Sequence, residues 1–85
     1  MLVNNDEIEV SCDVLWFAKT NGIMDDAQQR LFDRLQMIRV GDYGGTASTT
    51  VDADEIAAIV RALRFSDVEV GLDEDERALL TRLTS

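Results

Sequence analysis

The feature of this sequence that most constrains its fold is a helix-start signal near the middle of the chain. Asp52 and Glu55 have the three-residue spacing of a capping box, in which each side chain accepts a hydrogen bond from the other residue's backbone N–H. Val51 and Ile56 flank the box at the positions of a hydrophobic staple. The sequence therefore predicts a helix that begins at Ala53.

Apolar residues at helical spacing predict two further helices. Asp73 and Glu76 form a second capping box before an apolar stripe, and the acidic pair Asp25 and Asp26 precedes another. Residues 68–72, between two helices, are expected to be extended. The stripes predict one shared core of Leu31, Leu35, Ile56, Ile59, Leu63, Leu79, Leu80 and Leu83.

The segment from Glu7 to Gly22 allows two interpretations. Polar and apolar residues alternate from Glu7 to Val14, which predicts a short strand over residues 7–10, then a helix capped by Ser11 that stops at Gly22. The alternative is a single longer helix that begins at Asn5.

The length of 85 residues predicts one domain, because a chain of this size rarely builds two cores. We expect a mainly α fold, with α+β as the alternative: a compact bundle of about four short helices with two short strands, near Ile8 and Val51, that pair. Residues 1–5 are expected to be flexible, and residues 41–49 to form a flexible loop or hairpin.

The two halves of the chain also resemble each other, which suggests two strand-helix-helix units. Residues 24–35 align with residues 72–83 without a gap and share Asp, Leu, Arg and Leu. Residues 10–13 align with residues 51–54, but in a different register, so this alignment requires an inserted turn. Duplication and chance convergence of capped amphipathic helices are both compatible with the pattern.

Charge and cysteine content exclude several classes of protein. The net charge is −9 and Lys19 is the single lysine, which argues against direct binding of nucleic acid or an anionic membrane. The longest apolar stretch, residues 14–18, is too short to span a bilayer. The N-terminal residues lack the basic and apolar regions of a secretory signal, and Cys12 has no partner for a disulfide, which favours the cytoplasm.

The sequence offers little for catalysis, and we expect no enzymatic activity, metal or cofactor. There is no histidine, and Cys12 paired with Lys19 would lack a third, orienting group. The acidic residues 73–76 lack the glycine of a calcium loop. Residues 41–45 lack the lysine and hydroxyl residue that follow a phosphate-binding loop.

Two places are candidate partner-binding sites. The first helix is apolar nearly all round, so it either lies centrally among the other three helices or presents an interaction surface. In the second case, we expect Trp16, Cys12 and Leu15 to face a target protein or a second copy in a homodimer. Asp42 and Tyr43 lie in a glycine-rich turn, where an exposed tyrosine is a common interface residue.

Two functions fit these features. The first is a non-enzymatic acidic protein-interaction module, which acts as an adaptor, regulator or stoichiometric inhibitor of a larger protein and binds its basic surface. Small size and acidity would suit a phage-encoded inhibitor. The alternative is a nucleic-acid mimic that blocks a DNA- or RNA-binding protein. Mimicry needs a continuous acidic stripe, whereas most acids in this sequence lie at predicted helix starts, which favours the first function.

Overall fold

The computed structural model describes residues 1–41 and 45–85, and Asp42 and Tyr43 lie outside them. The described residues form four helices and two short strands, as a mainly α bundle with minor β pairing. The elements are β1 (Leu2–Val3), α1 (Asn5–Thr20), α2 (Asp26–Gly41), β2 (Thr49–Thr50), α3 (Ala53–Glu69) and α4 (Glu74–Leu83).

Each helix begins with the same reciprocal cap. Asp52 with Glu55 and Asp73 with Glu76 are capping boxes, so both predicted helix starts are confirmed. Asn4 with Glu7 caps α1 in the same way, and Asp25 with Gln28 makes the equivalent two hydrogen bonds at α2. The caps use N–H groups that have no partner within their helix.

The strand predicted over residues 7–10 is wrong, because these residues form the first turns of α1. The alternative of one helix from Asn5 is correct. Ser11 is not a cap but a buried helical residue, whose hydroxyl donates to the Glu7 carbonyl oxygen at 2.7 Å. The period-two pattern was misleading because Ile8, Cys12 and Leu15, four and then three residues apart, also lie on one helical face.

The other extended segments also differ from expectation. The first strand is Leu2–Val3, within the five residues expected to be flexible, and Val3 lies in the core. Val68 and Glu69 complete α3 instead of extending towards Leu72. In the expected loop or hairpin of residues 41–49, Gly41 ends α2 and Thr49 begins β2.

The core is one cluster to which all four helices contribute. Six of the eight predicted core residues are buried, and Ile56 and Leu80 are half-buried against the same cluster, so the predicted core is confirmed. The buried six are Leu31, Leu35, Ile59, Leu63, Leu79 and Leu83.

The described chain consists of two strand-helix-helix units in one register. Val3 and Asn4 correspond to Val51 and Asp52, so residues 1–37 align with residues 49–85 at a constant offset of 48. The earlier alignment of residues 10–13 is therefore wrong, and no inserted turn is needed. Ten aligned positions are identical, namely Val3, Asp6, Glu7, Ile8, Leu15, Phe17, Asp25, Leu31, Arg34 and Leu35 of the first half.

Hydrogen bonds between the halves are reciprocal. The antiparallel strands place Leu2 opposite Thr50, its own equivalent in the other half. Met1 and Val51 exchange two bonds, of 3.0 and 2.8 Å, between their backbone nitrogens and carbonyl oxygens. This reciprocity is what an approximate two-fold axis through the Leu2 and Thr50 pair produces.

The same symmetry relates two ion pairs. Arg34 of α2 binds Glu55 of α3 at 2.5 Å, and Arg82 of α4 binds Glu7 of α1 at 2.6 Å. Each arginine also donates to the facing strand, at the carbonyl oxygens of Thr50 and Leu2. The second helix of each half is thereby fixed to the first helix of the other.

Candidate protein-interaction surfaces

A groove between α1 and α4 is lined by many carboxylates. It encloses about 390 Å³, and its lining includes carboxylates from both helices. We call it the acidic groove; its seven acidic residues are Asp6, Glu7, Glu9, Asp13, Asp73, Asp75 and Glu76. Arg82 is the one cation in this lining, and Glu7 already binds it.

The two-fold axis places a matching groove, which we call the arginine groove, between α3 and α2. It encloses about 360 Å³ and is lined by Ala27, Arg30, Leu31, Arg34, Asp52, Asp54 and Glu55. Ala27 and Arg30 here correspond to Asp75 and Ala78 in the acidic groove. The arginine groove therefore balances much of its charge, while the acidic groove concentrates carboxylates at the equivalent position.

Asp13, one of the carboxylates of the acidic groove, has a raised pKa whose main cause is desolvation. Burial raises the pKa of the Asp13 carboxyl, and the carboxylates of Glu9 and Asp73 raise it further against the attraction of Arg39. The corresponding position in the other half is Arg61, which binds Asp25 at 2.9 Å. There, a hydrogen bond from the Gln28 backbone lowers the pKa of Asp25, and Arg61 lowers it further.

Trp16 lies on a second surface, with 54% of its area exposed. Its ring stacks on Phe32 with centroids 6.1 Å apart. The Lys19 ammonium nitrogen lies 5.9 Å from the centroid of the Trp16 ring and 5.7 Å from that of Phe32. This Trp16 surface is specific to the first half, because the equivalent positions hold Arg64, Asp67 and Leu80.

The expectation that Cys12 and Leu15 share the surface of Trp16 is wrong, because they are only 1% and 0% exposed. Successive residues on a helix are rotated by about 100°, so Leu15 faces the core while Trp16 faces outward. Burial also raises the pKa of the Cys12 thiol. Lys19 lies over the aromatic rings instead of activating that thiol.

The acidic groove was missed in the sequence because it depends on which helices are neighbours. Asp6, Glu9 and Asp13 share one face of α1 at helical spacing, and this was the available signal. In the described part of the chain, no set of three or more acidic or cysteine side chains is arranged to hold a metal ion. None of the described helices has the length and apolar character needed to cross a membrane.

We compared the chain with models of protein families, with curated protein sequences and with solved structures, and no match was found.

Proposed function

We propose that this chain is a non-enzymatic protein-interaction module that binds the basic surface of a larger protein through the acidic groove. It would act as an adaptor, regulator or stoichiometric inhibitor of that protein. The observation that carries the proposal is the contrast between the two grooves. The fold forms a groove at two equivalent positions, and arginines offset the negative charge in only one of them.

Electrostatics favours a basic partner. The net charge of −9 attracts positive surfaces over long distances and repels nucleic acid and anionic lipid. At short range, the groove carboxylates lose water on binding and gain charge-assisted hydrogen bonds. Between these carboxylates lie Val10 and Ala78, which give a partner side chain an apolar surface to pack against.

Trp16 is the second contact that we propose, either with the same partner or between two copies in a homodimer. It is large and exposed, and its stacking on Phe32 holds the ring in place. Tryptophan contributes strongly at interfaces when a partner excludes water from it. The cytoplasm is the location that suits the lone, buried thiol of Cys12.

The test is affinity capture from a lysate of the source cells with a groove variant and a charge-matched control. The groove variant carries Asp6→Asn, Glu9→Gln and Asp75→Asn, all exposed lining residues. The control removes the same charge elsewhere, with Asp33→Asn, Asp54→Asn and Glu69→Gln. We expect a basic protein to bind the wild type and the control but not the groove variant.

Capture of the same proteins by all three chains would contradict the proposal. The alternative function, mimicry of nucleic acid, makes a separate prediction: duplex DNA or RNA added to the lysate would displace the captured protein. We favour a basic protein surface that does not itself bind nucleic acid, because the groove carboxylates line a concavity instead of a convex stripe like a phosphate backbone.

A further inference from the structure

The internal repeat allows one carboxylate to be compared in two environments. At the start of α2, Asp25 Oδ1 accepts a hydrogen bond from the Gln28 backbone nitrogen at 2.8 Å. Its other oxygen, Oδ2, accepts from Arg61 Nη2 at 2.9 Å. One oxygen therefore caps the helix and the other binds a guanidinium group of α3.

Asp73 is the equivalent residue at the start of α4. Its Oδ1 accepts from the Glu76 backbone nitrogen at 2.8 Å, which reproduces the first of these bonds. The position of Arg61 is taken by Asp13, so the second bond is missing. Among residues 1–41 and 45–85, Asp73 Oδ2 has no hydrogen-bond partner.

We propose that Asp13 and Asp73 bind the guanidinium group of an arginine supplied by the partner, at the place where Arg61 lies in the other half. This inference rests on the proposed function and adds the chemistry of one partner residue. A guanidinium group has five N–H donors in a planar fork, so one arginine can bind two carboxylates at once. A lysine ammonium has no such fork.

The neighbouring charges are consistent with an arginine at this place. Glu9, one turn before Asp13 on α1, adds a third carboxylate, where the other half has Ala57. Arg39 attracts Asp13, but it is not one of the ion-paired arginines of the described chain, which are Arg34, Arg61 and Arg82. Because the like charges of Glu9 and Asp73 act on Asp13, an arginine there would relieve repulsion as well as form hydrogen bonds.

The test introduces the missing arginine into the protein itself. Asp13→Arg should pair with Asp73 as Arg61 pairs with Asp25, and should occupy the subsite intramolecularly. Glu69→Arg makes the same charge change at an exposed position of α3 and serves as the control. We expect Asp13→Arg to raise the melting temperature above that of both the control and Asp13→Asn, and Asp73→Asn added to it to remove the excess over Asp13→Asn.

Binding is measured by fluorescence anisotropy with a labelled oligoarginine peptide and an oligolysine peptide of equal length. We expect Asp13→Arg to weaken oligoarginine binding about tenfold more than Glu69→Arg does, which corresponds to the loss of one charged hydrogen-bonded contact. The wild type should prefer oligoarginine, and Asp13→Arg should reduce that preference.

The outcomes separate this inference from the proposed function. If neither peptide binds the wild type, the proposed basic partner is wrong, and this inference with it. If the peptides bind but Asp13→Arg and Glu69→Arg weaken binding equally, the guanidinium subsite is wrong and the acidic groove stands. The subsite is also wrong if the melting gain of Asp13→Arg over Asp13→Asn survives Asp73→Asn.

Discussion

Phe17 and Phe65 occupy equivalent positions in the two halves, and their rings meet with centroids 5.6 Å apart and planes tilted by 39°. Each residue therefore contacts its own symmetry counterpart, as Leu2 contacts Thr50 at the strands. The two contacts join the halves at separate places. The aromatic contact lies where α1 packs on α3.

We predict that Phe17 and Phe65 contribute jointly to stability. In a double-mutant cycle with Phe17→Leu and Phe65→Leu, the coupling free energy should be about 1 kcal/mol, as for other aromatic pairs. Urea denaturation supplies the free energies of unfolding. A control cycle of Phe65→Leu with Met37→Ala, an exposed residue of α2, should show additive effects. Additive effects in the first cycle would mean that the ring contact does not join the halves.

Leu35 is expected to be essential for folding because it is fully buried in α2. Leu35→Ala should destabilise the protein by about 2 to 5 kcal/mol, a large part of the stability of a small domain. Met37→Ala, on the same helix but 74% exposed, should change stability by less than about 0.5 kcal/mol. Thermal melting of both variants tests the core, and equal melting temperatures would show that α2 packs differently.

Asp13 should destabilise the fold at neutral pH, because its folded pKa is raised above the unfolded value. Its contribution to stability is fully present below the unfolded pKa of about 4 and is lost as pH rises through the folded pKa. Asp13→Asn should therefore raise the melting temperature at pH 7 and leave it nearly unchanged near pH 3. A gain of the same size at both pH values would rule out this electrostatic origin.

Asp25 should show the opposite dependence on pH, because its folded pKa is lowered. Its stabilisation is present above the unfolded pKa and is lost as pH falls through the folded pKa. Asp25→Asn should lower the melting temperature at pH 7, and the difference from wild type should shrink as the medium is acidified below about pH 4. If the difference were independent of pH, the Arg61 ion pair and the backbone bond from Gln28 would not be its cause.

Trp16→Ala should weaken association by about 2 kcal/mol or more, the loss typical of an important interface residue. The fold should remain, because Trp16 is 54% exposed and is not one of the buried core residues. Light scattering and partner capture measure association, while thermal melting reports folding. A variant that unfolds and has no association to lose would identify Trp16 as a structural residue.

The sequence alone predicted the features that depend on short segments. The capping boxes at Asp52 and Asp73 marked helix starts because cap and helix are only three residues apart. The box of Asn4 and Glu7 obeys the same rule, but the polar and apolar alternation that follows it favoured a strand. A short apolar pattern fits both the two-residue period of a strand and the 3.6-residue period of a helix. Only the packing of α1 against α2 and α3 selects the helix.

Features that join distant residues could not be predicted in this way. Arg82 binds Glu7 across 75 residues, and the charge of Asp73 on α4 raises the pKa of Asp13 on α1. The sequence does contain a repeat with a constant offset of 48, which relates the equivalent residues of the two halves. The strand predicted at residues 7–10 obscured the register of that repeat. Trp16 was expected at a surface from its helix alone, whereas the burial of Leu15 and Cys12 depends on the neighbouring helices.

Binding of a basic partner at the acidic groove is tested most directly by an NMR titration of the isotope-labelled protein with the oligoarginine peptide. The two grooves are built from equivalent segments of the repeat. Each amide of the acidic groove therefore has an internal control at the equivalent position, 48 residues away. We expect amide shifts to concentrate on residues 6–13 and 73–82 and to spare residues 54–61 and 25–34. Equal shifts at both grooves, or shifts spread over every acidic residue, would contradict binding at the acidic groove.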